Sequence, residues 1–510
     1  MTETVDELAA IFRGGGIVFF GTIIGRIFGF VGHILIANAL FPNRFGKVGI
    51  AFTIVSMIGT ISLVGIPKAV PRRMSEPERD QREVVSAGYT IALVFGSISA
   101  TLVFVFADPL ASAVGSPEVA GLLGPFAAYV MVYPLAMVAV SGLRGREQST
   151  KATVVRDILG PVLPVGLFVA FNSVGRAFDG AIVYYVAIQG IIALAGSYLL
   201  IQELNLSVRN IRVRLGEIRD LVAFSWPLAL STNLILLMNN FDLLMIGYFL
   251  EAEAAGYYKT IQPLGLLVLL PLTSFTFLYL PIVTRYFEAG DVDFLGEVFS
   301  ATTKWISLLS FPAVLVLVLF PESIVRTFFR PAFLPAVPAL RVYALAMFIR
   351  VFVGPNGAMI KAIDETRVDL ISALVGVVTN IVLNVVLIPR YGIVGAAVAT
   401  GAGFLLYNLT EIAVIYRVVR IHPFSLNTLK PIVLTTLIWL SLSEFFVHDE
   451  LGFLGLFVVG MGIVMVEIAS VPVTRSLDSR DHQLWQRVLD RAGIAPERLP
   501  NRLRPREGEK

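Results

Sequence analysis

Long apolar stretches, separated by short polar segments, make up most of this chain. A helix needs about 20 apolar residues to cross the hydrocarbon core of a bilayer, and fourteen stretches of roughly this length are present. They lie at about 15–40, 45–67, 86–107, 120–143, 154–172, 179–202, 220–250, 255–282, 303–320, 335–358, 368–388, 392–418, 428–447 and 451–471. The pattern predicts an all-α, polytopic membrane protein with fourteen transmembrane helices, referred to below as predicted helices 1 to 14.

Two windows at a fixed offset of 210 residues indicate an internal repeat. Residues 37–46 read ANALFPNRFG and residues 247–256 read GYFLEAEAAG, so that Gly46 matches Gly256. Each window joins two consecutive apolar stretches, and six predicted helices separate the copies. Both copies therefore enter the membrane in the same direction. Two six-helix halves related by a pseudo-two-fold axis along the membrane normal are expected, an arrangement typical of transporters.

The repeat predicts how the chain is divided. The predicted parts are an N-terminal half at 1–202, a cytoplasmic linker at 203–219, a C-terminal half at 220–418, helices 13 and 14 at 428–471, and a cytoplasmic tail at 473–510. Helices 13 and 14 have no counterpart in the first half.

Composition and charge agree with a membrane transporter. Of the 510 residues, 56% are hydrophobic and 15% are charged, with a mean hydropathy of +0.79, whereas soluble domains carry about 25% charged residues. Each loop is numbered by the predicted helix that it follows. The N-terminal tail and the even-numbered loops hold 21 Lys and Arg residues, and the odd-numbered loops hold 7. This bias predicts a cytoplasmic membrane protein with both termini in the cytoplasm. It also explains the net charge of +3 without a nucleic-acid partner.

Several segments resemble one transporter superfamily. NIVLNVVLIPRYGIVGAAVAT at 380–400 and SWPLALSTNLILLMNNFDLLMIGYFL at 225–250 resemble the polysaccharide-flippase branch of the multidrug/oligosaccharidyl-lipid/polysaccharide exporter (MOP) superfamily. GRIFGFVGHILIANAL at 25–40 resembles the first helix of its peptidoglycan-precursor lipid flippases. The resemblance implies alternating-access transport of a lipid-linked oligosaccharide, on a polyprenyl or dolichyl phosphate carrier.

Two other classes of function remain open. A cation-coupled multidrug exporter of the same superfamily is the nearer alternative, although such exporters typically have twelve helices and lack helices 13 and 14. A membrane glycosyltransferase or polysaccharide polymerase needs a catalytic cluster on a sizeable extramembrane loop, and the predicted loops are short. We therefore expect no enzyme activity.

Basic residues within the apolar stretches are the candidate substrate-binding groups. Arg26 lies near the middle of predicted helix 1, where a guanidinium could grip a diphosphate in a bidentate manner, or hold neighbouring carbonyls as a structural group. The resemblance places it at an important arginine of the peptidoglycan-precursor flippases, although Gly32 and His33 replace their following arginine and aspartate. His33, Lys47 and Lys259 are the other candidates. Burial of the histidine and snorkelling of the lysines are the alternatives.

Four polar residues in the C-terminal half predict an ion-coupling site. Asp242, Asn380 and Thr400 lie at similar depth in predicted helices 7, 11 and 12, and Asn384 lies one turn from Asn380. Their oxygens would suit a small alkali cation. The resemblance implies the sodium site of the peptidoglycan-precursor flippases, with Asn384 in place of an acid. A sodium site, a proton site on Asp242 and a structural polar cluster all remain open.

The remaining predictions concern a gate and the partners. Arg350 and Glu411 lie at matching depth on the inner side of predicted helices 10 and 12, as a gate latch or as a static salt bridge. The predicted partners are the lipid-linked glycan, membrane lipids and glycan assembly enzymes, with the protein acting as a monomer. No cofactor is expected apart from a coupling sodium ion or proton.

Overall fold

The computed structural model describes residues 2–205, 214–446 and 451–477. Within these ranges only the backbone is described for residues 2–19, 226–233, 235, 237–239, 277–278 and 444–446. Most of the predicted tail at 473–510 and part of the predicted linker at 203–219 therefore lie outside the described residues.

The described chain is helical throughout, with no strand in these ranges. Its helices are α1 (Thr2–Ser62), α2 (Ile66–Met74), α3 (Gln81–Val105), α4 (Ala107–Ala113), α5 (Ala120–Gly145), α6 (Ser149–Thr153), α7 (Gly160–Ser173), α8 (Ala177–Leu204), α9 (Leu215–Phe249), α10 (Ala252–Val268), α11 (Leu270–Glu288), α12 (Val292–Leu319), α13 (Pro321–Phe328), α14 (Val337–Phe352), α15 (Asn356–Ala362), α16 (Thr366–Val419), α17 (Leu426–Phe446) and α18 (Phe453–Val473). Short 3₁₀ turns lie at Pro117–Val119 and Pro331–Ala336, and a π-helical segment lies at Val154–Leu159.

Ten helical segments of the described chain are long and apolar enough to cross a membrane. The predicted all-α, multi-pass membrane architecture is confirmed, whereas the number of fourteen spans stays a prediction. Two of the ten segments, Phe20–Met74 and Thr366–Val419, have 55 and 54 residues. Both greatly exceed the length that one crossing needs.

Each of these two long segments contains one residue with a non-helical backbone. Phe41 has φ 62° and ψ 166°, and Gly392 has φ 59° and ψ −141°. Phe41 precedes Pro42, whose ring disfavours helical geometry in the residue before it, and Gly392 lacks the Cβ that would penalise a positive φ. Both breaks lie where the sequence predicts one span to end and the next to begin.

The chain folds into two compact units. Unit 1 comprises Met1–Pro263 and Val377–Thr400. Within it α5 packs against α1, α3 and α8, and α7 packs against α8. Small and β-branched residues are prominent in one of its core clusters, among them Val70, Val85, Ala136, Val138 and Ile192.

Unit 2 comprises Leu264–Gly376 and Gly401–Lys510. Within it α12 packs against α11, α14, α17 and α18, and α11 packs against α15. Tyr279, Phe299, Met359 and Ile415 belong to its buried cluster. Packing thus divides the chain differently from the repeat, because α9 and the first part of α10 belong to unit 1 together with α1. The predicted domain limits, which follow the repeat, stay a prediction.

Inside unit 1 the repeat appears directly as a reciprocal contact. A Cβ atom on Gly46 would overlap the carbonyl oxygen of Ala252, and a Cβ on Gly256 would overlap the carbonyl oxygen of Pro42. Positions 42 and 252 differ by 210 residues, as do 46 and 256. A two-fold relation requires such paired contacts. If one position of the first copy meets a second position of the other copy, the second position of the first copy must meet the first position of the other. The contact supports the pseudo-two-fold relation that the offset predicts.

A network of ion pairs joins the loop after α2 to the start of α9. The Arg79 guanidinium lies 2.7 Å from Glu217 Oε1, 2.7 Å from Asp220 Oδ2 and 2.6 Å from Glu76 Oε2. Arg73 lies 3.0 Å from Glu76 and from Asp220. Burial alone would raise the pKa of Glu76, but hydrogen bonds from Arg73 and Arg79 lower it. These ion pairs anchor the start of α9, the helix that carries Asp242.

Candidate functional site

A buried carboxylate, Asp242, is the centre of a polar site in unit 1. Asp242 lies on α9, and the side chains around it come from α10 and from both sides of the break in α16. These are Tyr258, Asn380, Asn384 and Thr400. All five residues are at most 2% exposed.

Four donors face the Asp242 carboxylate. Its Oδ1 accepts hydrogen bonds from Asn380 Nδ2 at 2.8 Å and Asn384 Nδ2 at 2.7 Å. Its Oδ2 accepts from the Tyr258 hydroxyl at 2.9 Å and from the Thr400 hydroxyl. Each carboxylate oxygen thus has two donors, which is the arrangement that stabilises an ionised acid away from water. The predicted group of four is brought together.

The backbone of α16 explains how three of these residues reach one carboxylate. Asn380 and Asn384 are four residues apart and share one face of the helix before the break. The chain reverses at Gly392, and Thr400 then returns to the same depth on the following arm. A Cβ on Gly395 would overlap the carbonyl oxygen of Leu387, so the two arms pack backbone to backbone.

The side chains of the site suit either of the two predicted coupling ions, whose binding stays a prediction. Asn384 Oδ1 is buried without a donor among the described residues, and rotating an asparagine amide exchanges its nitrogen for its oxygen. After rotation, carbonyl oxygens of Asn380 and Asn384 would join the oxygens of Asp242, Tyr258 and Thr400 around a sodium ion. Alternatively, one rotated amide oxygen would accept a proton carried by Asp242. Within the described ranges no group of three or more His, Cys, Asp or Glu residues forms a metal site.

Two of the four candidate substrate-binding residues meet inside unit 1. His33 is buried, and its ring centroid lies 5.1 Å from that of Phe45. Lys259 runs along Gly49, and its Nζ lies 5.7 Å from the centroid of Phe52. The Lys259 ammonium lies close enough to the His33 ring to repel a second positive charge there. Lys259 also directly follows Tyr258, so this cationic region adjoins the Asp242 site.

Arg26 and Lys47 differ from that pair in their surroundings. Arg26 is exposed. The neighbouring Gly25 packs against the backbone of Asp157 in the π-helical segment, where a Cβ would overlap the carbonyl oxygen. Lys47 is half-buried near the start of the second arm of α1. An exposed guanidinium suits contact with a ligand, and the substrate-binding roles of all four residues stay predictions.

The two candidate gate residues lie in unit 2. The Arg350 guanidinium carbon lies 4.4 Å from the centroid of the Phe404 ring. Glu411 is fully buried and faces Gly357 and Tyr407. The gate also stays a prediction.

Tyr258 is a site residue that the sequence analysis missed. It is fully buried and donates to Asp242, yet tyrosines near the outer ends of spans are usually interfacial. In the sequence Tyr258 is distinguished only by following the repeat glycine Gly256, and it is the packing of that glycine that fixes the start of α10 beside α1.

Comparisons with known proteins identify the family. The polysaccharide biosynthesis protein family matches residues 11–287, more than half of the chain, and the MatE family matches residues 227–386. The probable low-salt glycan biosynthesis flippase Agl15 of Haloferax volcanii is 24% identical over 398 residues, or 76% of this chain and 79% of that protein. The lipid II flippase MurJ of Bacillus subtilis is 23% identical over 441 residues, or 78% and 80%.

Solved structures show the same fold. Lipid II flippase MurJ in an inward closed conformation has a TM-score of 0.71 at 14% identity, over 89% of this chain and 98% of that chain. An inward-facing multidrug resistance MATE family transporter of the MOP superfamily has a TM-score of 0.66 at 15% identity, over 78% and 95%. The resemblance to the MOP superfamily is confirmed, and the chain belongs to the polysaccharide biosynthesis protein family.

Proposed function

We propose that this protein is a flippase that moves a lipid-linked oligosaccharide across the cytoplasmic membrane by ion- or potential-coupled alternating access. The observation that carries the proposal is its membership of the polysaccharide biosynthesis protein family, across the residues that hold Arg26, Asp242 and Lys259. The glycan flippase Agl15, similar over three quarters of the chain, supports the same substrate class. The relatives that this chain resembles are named as flippases, so we expect a transporter without enzyme activity.

Within this proposal the two polar regions of unit 1 have separate tasks. Arg26 binds the phosphate of the lipid carrier, since a guanidinium offers paired donors to phosphate oxygens. Lys259, with His33 beside it, contributes positive charge near the outer end of the span. Asp242 binds the coupling ion, sodium or a proton. Ion binding shifts the balance between facing states only by its difference in affinity for them.

The proposal includes the setting of the protein. It acts as a monomer with both termini in the cytoplasm, as the loop charges predict. Its partners are the lipid-linked glycan, membrane lipids and the enzymes that assemble the glycan, with no nucleic acid.

A multidrug exporter is the second candidate, favoured by the MatE match over residues 227–386. The helices α17 and α18 distinguish the two, because multidrug exporters of the superfamily typically lack this pair. A groove beside these helices would hold the lipid tail of a flippase substrate.

Reconstituted vesicles test the proposal. A polyprenyl-diphosphate sugar with a fluorescent label is placed in both leaflets, and an impermeant quencher reports the fraction that crosses. Wild-type protein should expose label from the inner leaflet, Arg26→Ala should stop this, and Arg26→Lys should retain part of it. A protein that instead extrudes cationic dyes and leaves the labelled lipid in place would support the multidrug alternative.

A further inference from the structure

Glu411 in unit 2 is a buried acid that the proposed transport mechanism does not use. It lies on the second arm of α16 and is 0% exposed. Neither of its carboxylate oxygens has a hydrogen-bond donor among the described residues. An ionised carboxylate in such a place is very costly, so a buried acid without donors is stable only when it is neutral or holds a cation.

A polar neighbour of Glu411 is Tyr407, one turn earlier on α16. Glu411 Oε2 and the Tyr407 hydroxyl both lie 3.8 Å from the position of a Cβ on Gly357. The Tyr407 hydroxyl donates to Asp369 Oδ1 at 3.0 Å. A phenol has a single proton to donate, and here it is directed at Asp369. Toward Glu411 the hydroxyl oxygen can therefore act only as an acceptor, and a protonated Glu411 is the donor that fits it.

Beyond Tyr407 the polar groups lead to the surface of unit 2. Asp369 Oδ2 lies 4.0 Å from Lys361 Nζ. The Lys361 side chain is 52% exposed and that of Asp369 is 15% exposed. Lys361 is thus exposed, Asp369 and Tyr407 are half-buried and Glu411 is fully buried, on the side of the membrane that the predicted topology places in the cytoplasm.

Two other polar groups on the neighbouring helices have contacts of their own. The amide of Asn356 on α15 donates to Asn408 Oδ1 at 3.0 Å. The Arg350 guanidinium on α14 lies over the Phe404 ring, and its charge also acts on Tyr407. Lys361 is therefore the cation at the start of the series, and Asp369 is the acid between it and the interior.

We propose that Glu411 is a proton-binding site, protonated at neutral pH and loaded from the surface through Asp369 and Tyr407. In the loading step the Tyr407 hydroxyl first rotates toward Glu411. A proton on Asp369 then moves to the Tyr407 oxygen as the tyrosine's own proton moves to Glu411. Asp369 loses one proton, Glu411 gains one, and Tyr407 ends as it began. The site is separate from Asp242, which lies in unit 1, and its existence does not depend on the transported substrate.

Infrared difference spectroscopy of the purified, full-length protein tests the proposal without any transport assay. At pH 7 the wild type minus Glu411→Gln should show one protonated-carboxyl C=O stretching band, which is absent from the variant. The band should move to higher frequency in Tyr407→Phe, because the acceptor is lost. Asp242→Asn should leave it in place, and unfolding curves of each variant establish that it is folded.

The kinetics of the same band test the relay. In D₂O the band shifts as deuterium replaces the proton, and Asp369→Asn should slow this shift relative to wild type. Absence of the band from folded wild-type protein at pH 7 would overturn the proposal. Loss of the band on adding sodium or potassium ions would also overturn it, because Glu411 would then hold an alkali cation.

Discussion

Tyr258→Phe is the substitution that most sharply probes the geometry around Asp242. It keeps the aromatic ring and removes one oxygen atom, which donates to Asp242 Oδ2 at 2.9 Å. Tyr258 is 0% exposed, so water does not replace the lost donor. Asp242 Oδ2 would keep only the Thr400 hydroxyl.

The expected loss in the free energy of unfolding follows from the charge of the acceptor. A hydrogen bond to an ionised group contributes about 1.5–3 kcal/mol to stability, and a neutral or solvated one contributes less. Tyr257 provides a matched control on the same helix, since its hydroxyl donates to Glu253 Oε1 at the partly buried surface. Tyr257→Phe should cost only about 0.5–1 kcal/mol, because water reaches Glu253.

Equilibrium unfolding of the purified protein in mixed micelles, with SDS as the denaturant, measures both free energies of unfolding under one set of conditions. We expect Tyr258→Phe to lower the free energy of unfolding more than Tyr257→Phe does, by about 1 kcal/mol or more. Equal losses for the two variants would refute the reasoning. They would mean that Asp242 is not a charged acceptor whose stability depends on the Tyr258 donor.

Three further predictions address the repeat, the ion and the topology. Gly256→Ala should lower the free energy of unfolding by about 1–3 kcal/mol through overpacking. Gly29→Ala should not lower it, because nothing lies within 4 Å of a Cβ at that position. Similar values for both variants would contradict the reciprocal contact. Sodium ions or a change of pH should alter the midpoint of wild-type thermal unfolding by ligand linkage. Asp242→Asn should abolish the response to sodium or reduce the response to pH, and unchanged responses would make the site structural. In this cysteine-free chain, Ser75→Cys should react with an impermeant thiol reagent only from the cytoplasmic side, and labelling from outside would reverse the topology.

The sequence predicted the main features of the fold because the bilayer imposes a strong pattern. Apolar length alone indicated a helical, multi-pass protein, and the breaks at Phe41 and Gly392 fall where one predicted span ends and the next begins. The offset of 210 residues anticipated the reciprocal packing of Gly46 and Gly256. What the sequence could not indicate is how the helices divide into packed units, because that depends on which surfaces meet.

The ion site was predictable only in part, for a related physical reason. Asp242, Asn380, Asn384 and Thr400 are polar residues in apolar surroundings, so each is conspicuous in the sequence. Tyr258 is amphipathic and common near membrane interfaces, and only its burial reveals its role. The series from Lys361 to Glu411 likewise depends on how α15 approaches α16, which no spacing encodes.

Ion-driven flipping by the wild type and by Asp242→Asn, measured side by side in vesicles, tests the central claim most directly. The assay follows a fluorescent polyprenyl-diphosphate sugar while a sodium gradient or a pH gradient is applied across the membrane. We predict that the wild type flips the labelled lipid, that one of the two gradients accelerates it, and that Asp242→Asn loses this acceleration. Wild-type protein that leaves the lipid in its original leaflet, or a variant that responds to the gradient as the wild type does, would contradict the account.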